Sequence, residues 1–278
     1  MPELPEVETV VRDLRPRLVG RRFRHVEGSS QPLRTEVSWD RLGLVLGHCV
    51  EDVRRRGKWI VVCVAREIYL VIHLGMTGQL VITQGEAPQL PHTHLIFSFH
   101  QSTEQLRFRD IRRFGSARVF DSPEELEQFF KKTGLGPEPF DLDPKYWRER
   151  LAATSRNLKA ILLDQCIVAG VGNIYADESL FVARLHPARR GRDLSAVEAR
   201  RLREAIATVL TRAIEKRGSS IRNYVGGSGL KGEYQHEFLV YGRKGQPCVR
   251  CGRAIERIVL AGRSTHFCPR CQKRKDEG

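Results

Sequence analysis

Four cysteines near the end of the chain, Cys248, Cys251, Cys268 and Cys271, constrain its folding more tightly than any other feature. Their C-x2-C-x16-C-x2-C spacing is that of a four-thiolate structural zinc site, with two cysteine pairs converging on one ion. Between the pairs, RAIERIVLAGRSTHF reads as a β-hairpin turning near Ala261, Gly262 and Arg263. So short a hairpin cannot form its own core, so a bound metal has to supply its folding energy. One structural Zn2+ per chain is expected. The chain has seven cysteines, an odd number that argues against a secreted disulfide framework. Cys49, Cys63 and Cys166 lie in apolar surroundings and read as buried small hydrophobes.

The charge balance narrows the partner. Lys plus Arg number 47 and Asp plus Glu 33, a net charge of +14. Residues 240–278 hold ten Lys/Arg against three Asp/Glu, so half of the excess sits on the cysteine-bearing tail. So one-sided a surplus favours a polyanion, nucleic acid first. A basic zinc hairpin is an element suited to DNA, and Arg263 at its tip points to a phosphate contact. Apolar runs such as IVVCVA from Ile60 are strand-length, too short to cross a membrane. The acidic N-terminus lacks the apolar core of a signal peptide. A soluble, cytoplasmic protein is expected.

The first eighteen residues, MPELPEVETVVRDLRPRL, combine a proline after the initiator Met1 with two nearby carboxylates, Glu3 and Glu6. Trimming of Met1 would leave Pro2 as a secondary amine. An α-amino group has a pKa of roughly 7.7–8.0, so part of it is unprotonated and nucleophilic at neutral pH. An amine attacking carbon gives a Schiff-base-type intermediate, which for proline is a charged iminium. Val7, Val10, Val11, Leu14 and Leu18 recur at helical spacing, and Pro5 suits the first helical position. The acids would then lie at the helix's positive end, which is also what an ordinary helix start looks like.

From about Arg21 to Phe120 the chain reads as short strands with turn residues between, an antiparallel sandwich or barrel. RRRGKW places Lys58 beside the flexible Gly57. HLGMTG sets Met76 between glycines after His73, and RDIRRFG carries Arg112, Arg113 and Phe114 up to Gly115. An exposed Met and Phe beside paired Arg suits wedging into a base stack while gripping phosphate, although both could be strand-end core residues. His73, His92 and His94 have no metal spacing between them. SPEELEQFFKK opens with a capping box at Ser122 and Glu125. The Gly/Pro-rich run TGLGPEPFDLDP marks a boundary. Beyond it the chain is helical. Gly170 and Gly172 separate two short helices, Asn173 reads as the N-cap of the second, and such a turn suits phosphate. Ser195 and Glu198 cap a longer helix with an apolar stripe of Val197, Leu202, Ile206, Val209 and Ile214. Ser219 to Tyr241 reads as a polar, mobile and functional loop.

Taken together, PELPEVET, RRGKW, HLGMTG, DIRRFG, GVGNIYADESLF, VYGRKGQPC and the four-cysteine finger resemble the bacterial formamidopyrimidine-DNA glycosylases over essentially the whole chain. The resemblance implies an α+β multidomain protein. Its parts would be an N-terminal β-sandwich with flanking helices (1–132), a linker (133–147), a helix–two-turn–helix domain with a lesion-capping loop (148–238) and a zinc-finger hairpin (239–278). It implies a monomeric enzyme of base excision repair, associated with the nucleoid. The partner would be double-stranded DNA containing oxidised bases or abasic sites. Such an enzyme removes 8-oxoguanine opposite cytosine, or formamidopyrimidines, then cuts the strand by β,δ-elimination. By the same resemblance Pro2 is the nucleophile, Glu3 a proton donor, and Glu6 assists. Lys58 serves β-elimination and Arg263 δ-elimination. Met76, Arg112 and Phe114 fill the void left by the everted base, with Arg112 facing the orphaned cytosine. His92, Arg113, Asn173, Arg156 and His73 contact DNA. Ile111 replaces the usual Pro or Val. An endonuclease VIII-like enzyme for oxidised pyrimidines, or a non-catalytic damaged-DNA-binding protein, remains the alternative.

Overall fold

A computed structural model of the chain describes residues 1–29, 33–35, 37–220 and 231–274. The middle of the loop expected over Ser219–Tyr241, residues 221–230, lies outside these. Two compact units are present: residues 1–133 with 216–235, and residues 134–215 with 236–278. The segment 216–235, read from sequence with the helical half, thus groups with the first unit.

The first unit opens with α1 (Leu4–Leu18), whose Val7, Val10, Val11, Leu14 and Leu18 are at most 1% exposed. Pro5 falls in its first turn, where a missing N–H costs nothing. Eight strands follow: β1 (Phe23–Gly28), β2 (Val50–Arg56), β3 (Trp59–Val64), β4 (Ile68–His73), β5 (Gly78–Gln84), β6 (Thr93–Phe99), β7 (Glu104–Asp110) and β8 (Ser116–Phe120). They form two antiparallel four-stranded sheets, ordered β1-β6-β7-β5 and β2-β3-β4-β8. Phe23, Leu80, Phe97 and Phe108 from the first sheet share one core with Val53, Ile60, Val62 and Leu70 from the second, and α1 seals it. The unit is a β-sandwich. Two helices accompany the strands, α2 (Trp39–Gly43) and α3 (Pro123–Lys132). The second sheet also buries its outer face, where Val61, Cys63, Val71 and Phe120 meet Leu126, Phe129 and Phe130 of α3. That double burial is why WIVVCV is apolar throughout rather than alternating. Ser122 caps α3 as expected, accepting the Glu125 N–H at 3.2 Å.

Register brings three motifs to one end of the sandwich. Trp59, just after Gly57–Lys58, pairs with His73, which opens the HLGMTG turn. His73 also pairs with Ser116, just after DIRRFG. In the other sheet Gly78 pairs with Asp110, the residue that opens DIRRFG.

The second unit carries α4 (Pro144–Ala152), α5 (Leu158–Leu163), α6 (Asn173–Val182), α7 (Ala196–Glu215) and the hairpin of β9 (Glu256–Leu260) and β10 (Arg263–Phe267). The Ser195/Glu198 capping box closes in both directions, at 3.2 and 2.8 Å. Leu202, Ile206 and Val209 are buried along α7, whereas Val197 is 61% exposed. Val197 sits in the first turn, where Ala199 rather than Val197 faces Trp147 of α4, and it lines a shallow groove with Trp147 and Pro144. Two cysteines also differ from expectation: Cys166 is exposed on the turn after α5, and Cys49 is half-buried at a sheet edge. No helix among the described residues is long and apolar enough to cross a membrane.

A buried ion pair organises this unit. Lys159 Nζ donates to Asp177 Oδ1 at 2.6 Å and to the Asn173 carbonyl at 2.8 Å, with both charged side chains 0% exposed. Asp177 Oδ2 accepts the backbone N–H of His266 on β10 at 2.8 Å. One carboxylate therefore ties α5, α6 and the hairpin together. Breaking such a pair leaves a charge in a low-dielectric interior. Lys159→Ala is expected to lower the unfolding free energy by about 3 kcal/mol or more. Denaturant melts would check this, and a loss below about 1 kcal/mol would contradict it.

Candidate active site and nucleic-acid interface

The start of α1 gathers buried charge in the first unit. Pro2, Glu3, Glu6 and Lys58 are all buried, while the Met1 side chain is exposed. Glu6, in the first turn, reaches back so that its Oε2 accepts the Glu3 N–H at 2.8 Å. Its Oε1 accepts the Ser219 N–H at 2.7 Å and the Ser219 hydroxyl at 3.3 Å. The terminal amino group has its pKa lowered, first by burial; Glu3 and Glu6 oppose that shift, while Lys58 and Arg112 add to it. An amine here is poised to be uncharged, hence nucleophilic, near neutral pH. Lys58 follows Gly57, whose φ of +56° turns the chain between β2 and β3. Arg55 braces that turn by donating to the Gly57 carbonyl at 3.1 Å and to Glu8 Oε2 of α1 at 2.9 Å. Arg55 thus ties the turn that precedes Lys58 to α1.

The glycines of HLGMTG and DIRRFG explain how Met76 and Phe114 reach the surface. A Cβ on Gly75 (φ +61°) would stand 2.6 Å from Gly115 N and from the Phe114 carbonyl carbon. On Gly115 it would meet Phe108 Cζ at 2.5 Å and the His73 carbonyl oxygen at 2.9 Å. The two turns pack backbone to backbone, and only glycine permits it. Met76 and Phe114 are consequently 40% and 37% exposed rather than core residues. Arg112 lies over the Phe114 ring at 4.8 Å and Arg34 over the same ring at 4.3 Å. These cation–π contacts hold the ring upright.

Asp110, which the sequence reading passed over, shapes the second turn. Fully buried, its Oδ2 accepts the Gly115 N–H at 2.7 Å and its Oδ1 the Arg112 N–H at 3.2 Å; Oδ1 also accepts from the Thr77 hydroxyl. The signal was present: an Asp immediately before a polar turn that ends on glycine. Arg113 (φ +59°) and the exposed His92 (φ +67°) take left-handed backbone beside it, and the Asp110 N–H donates to the His92 carbonyl. His73 has another duty. Its Nδ1 accepts the Gly75 N–H at 3.1 Å and its ring lies 4.7 Å from Trp59.

In the second unit Asn173 does not cap α6. Gly172 holds the cap position, and Asn173 is the first helical residue. Its Nδ2 instead donates to the Ser264 carbonyl at 3.1 Å, tying the start of α6 to the residue after Arg263. Gln165 closes the preceding turn through the Gly170 N–H and the Val171 carbonyl. Arg156 is half-exposed and paired with Asp164 at 2.6 Å. Arg263 is exposed and opens β10 after Ala261 and Gly262, whose positive φ values (+49° and +68°) suit a two-residue hairpin turn.

The four cysteine sulfurs lie within 4.8 Å of one another, with Cys248–Cys271 at 3.9 Å and Cys251–Cys268 at 3.5 Å. A tetrahedral ion with Zn–S of about 2.3 Å requires sulfurs about 3.8 Å apart, so the cluster fits Zn2+. Backbone N–H groups of Arg250 and Cys271 point at two of the sulfurs. The finger does not stand alone: Ile255, Cys248 and Cys268 pack on Phe181 of α6 and on Val240. Glu178, also passed over, anchors the irregular segment through Val240 by accepting the N–H groups of Leu239, Val240 and Tyr241 at 2.8–3.0 Å.

Two outcomes follow. The pKa of His73 is lowered to about 4, chiefly by burial and then by Lys58, with Asp110 opposing. In the unfolded chain the same ring titrates near 6.5 and binds its proton more readily. His73 therefore contributes its full stability above pH 6.5 and loses it as pH falls towards 4, by about 1–3 kcal/mol. Wild type is expected to lose more melting temperature between pH 7 and 5 than His73→Asn; equal losses would refute this. Gly75→Ala forces both a left-handed alanine and a backbone clash. It is expected to cost about 1–3 kcal/mol and to weaken duplex binding in a titration, whereas unchanged binding would show that the turn pair does not present Met76 and Phe114.

Comparison with known proteins agrees with this geometry. Residues 1–117 match the formamidopyrimidine-DNA glycosylase N-terminal domain, 135–225 its H2TH domain, and 245–274 a zinc finger found in FPG and IleRS. A formamidopyrimidine-DNA glycosylase of Geobacillus kaustophilus is 43% identical over 98% of this chain and all of its own. One of Bacillus cereus is 41% identical over 99% and 100%. Among solved structures, Lactococcus lactis Fpg bound to DNA containing an abasic site superposes with a TM-score of 0.91 at 37% identity, covering 98% of this chain and 100% of that one.

Proposed function

This chain belongs to the formamidopyrimidine-DNA glycosylase family, and from that premise we propose that the buried group of Pro2, Glu3, Glu6 and Lys58 is its catalytic centre. The enzyme is a DNA glycosylase for oxidised purines, 8-oxoguanine opposite cytosine and formamidopyrimidines, and an abasic-site lyase. Its partner is double-stranded DNA carrying such lesions or abasic sites, as in the Lactococcus lactis complexes with Fapy-dG and abasic-site DNA. One observation carries the assignment of the centre: buried Pro2 stands among two buried carboxylates and a buried lysine, where burial already lowers the pKa of the adjoining Met1 amino group.

The target sugar carbon cannot be reached inside a base stack, so the damaged nucleotide has to be everted. Once Met1 is removed, the Pro2 nitrogen attacks C1′. The glycosidic bond breaks, its electron pair leaves with the base, and Glu3 supplies a proton to the sugar and leaving group. The added amine then loses its proton, the C1′–O4′ bond breaks with O4′ protonated as a hydroxyl, and an iminium joins Pro2 to the opened sugar. Glu6 supports the amine electrostatically and through its hydrogen bonds to Glu3 and Ser219. Loss of a C2′ proton then breaks the C3′–O bond and expels the 3′ phosphate, with Lys58 donating the proton of that step. A second elimination, which we assign to Arg263, breaks the C5′–O bond and leaves a one-nucleotide gap bearing phosphates at both ends.

Met76, Arg112 and Phe114 enter the space vacated by the base, with Arg112 facing the orphaned cytosine. His92, Arg113, Asn173 and Arg156 hold the backbone, and His73 acts on DNA by shaping the Met76 turn. Zn2+ held by Cys248, Cys251, Cys268 and Cys271 is structural: it fixes the hairpin that carries Arg263. A DNA substrate and reduced thiolate ligands support a cytoplasmic, nucleoid-associated location.

The test is a duplex with one 8-oxoguanine opposite cytosine, treated with borohydride during the reaction. Wild type lacking Met1 is expected to give a covalent adduct on the N-terminal peptide together with strand cleavage, and Pro2→Gly to lose at least most of both. No adduct and no cleavage from zinc-loaded wild type would overturn the assignment. Trapping only on an oxidised-pyrimidine duplex would shift the substrate class.

A further inference from the structure

Within the first unit, the segment that begins at Lys216 is joined to the body of α1 by an ion pair that the chemistry above does not use. After Glu215 the backbone turns through two successive left-handed residues, Arg217 (φ +59°) and Gly218 (φ +73°). Glycine accepts that region freely; arginine does so only where other interactions hold it there. Here the restraint is Asp13, seven residues beyond Glu6 on the same face of α1. Arg217 Nη2 donates to both Asp13 oxygens, at 2.9 and 2.7 Å, and the Asp13 side chain is only 9% exposed.

Two residues further on, Ser219 donates its N–H to Glu6 Oε1. Helix α1 thus grips the segment 217–219 at two points, by Asp13 and by Glu6. Between them Gly218 has no room for a side chain: a Cβ there would stand 2.7 Å from Glu6 Oε1. The far side of the segment is tied as well, because Glu233 N–H donates to the Lys216 carbonyl and Tyr234 N–H to the Gly218 carbonyl, both at 2.9 Å. With Oε1 held by Ser219, Glu6 presents Oε2 to the Glu3 N–H, one residue from Pro2.

We propose that Arg217, through Asp13, is a positioning residue for the catalytic N-terminus. The ion pair holds the 217–219 segment so that Ser219 orients Glu6, and Glu6 orients the Pro2–Glu3 backbone. The catalytic half of this inference rests on the amine-nucleophile reading above; the structural coupling does not.

The variants are Arg217→Ala, Asp13→Ala, and the charge swap Asp13→Arg with Arg217→Asp. Arg217→Gly removes the pair while relieving the backbone. Two readouts separate the claims. The first is amide hydrogen exchange at Glu3 and Ser219 in DNA-free, zinc-loaded protein. The second is single-turnover borohydride trapping as a function of duplex concentration and pH. Arg217→Ala and Asp13→Ala are expected to speed exchange at both amides. They are also expected to slow trapping by about fivefold at saturating duplex, the upper range for a part-exposed pair. The half-saturating duplex concentration stays constant, and the pH midpoint of trapping moves. The swap restores exchange and rate, and Arg217→Gly keeps the defect. Unchanged exchange and trapping in Arg217→Ala, a swap that restores neither, or a defect confined to half-saturation would each overturn the proposal. If wild type forms no adduct while exchange responds and the swap restores it, the amine reading fails and the coupling stands.

Discussion

Nearly everything in the first unit that bears on chemistry leans on the Glu6 carboxylate. Placed in the first turn of α1, it lies where the helix dipole favours negative charge, and both of its oxygens accept backbone N–H groups. A buried carboxylate held this way is rigid, because each oxygen that moved would leave a buried donor unsatisfied. Its two partners are separated by 216 positions in sequence, so one side chain converts two distant pieces of backbone into a single body. The cost is a second acid, Glu3, buried in the same place, with the buried Lys58 acting on the same amino group. Concentrating like charge in a dry site is unfavourable for a fold and useful for proton transfer, which is where such arrangements are found.

The same economy recurs around other buried acids. Asp110 organises the turn that carries Arg112 and Phe114 by accepting from two backbone N–H groups and a hydroxyl. Glu178 gathers three consecutive N–H groups ahead of the finger. Asp177 divides its oxygens between Lys159 and the hairpin backbone. Asp110 and Glu178 thereby substitute for secondary structure where the chain is irregular, while Asp177 satisfies an N–H on the strand edge of β10 and a buried ammonium. The exposed groups that would meet DNA (Met76, Arg112, Phe114, Arg263) then need no rigidity of their own. They inherit it from the carboxylates and glycines behind them.

What sequence made legible follows this division. The cysteine spacing, the paired strands from Trp59 to Phe120 and the capped helices are local patterns that periodicity or spacing reveals directly, whereas the local sequence left Met76 and Phe114 open between core and surface and the resemblance decided for the surface. Asp110, Glu178 and the Lys159–Asp177 pair were not legible, because their partners lie tens of residues away and a lone acid in a polar turn resembles any solvated one. Asn173 shows the same limit from the other side. Its position next to a glycine turn is that of an N-cap, but the carbonyl of Ser264, 91 residues on, competes for its side chain and wins. Val197 fails for a different reason: in the first turn the face that meets Trp147 of α4 is carried by Ala199, which leaves Val197 at the rim of a groove.

The segment 216–235 is the most instructive case. Its composition, polar and rich in glycine, says only that it is not a core element, and its position after α7 assigns it by default to the helical half. Contact assigns it to the other unit. The determinants are Ser219, whose N–H reaches Glu6, and Arg217, whose guanidinium reaches Asp13, each a side chain or amide with no periodic signature. Polar contacts of this kind leave no hydrophobic pattern to read, and the H2TH match itself runs on to residue 225. A chain built in this way cannot vary Gly218, where the left-handed backbone and the proximity of Glu6 exclude every side chain at once.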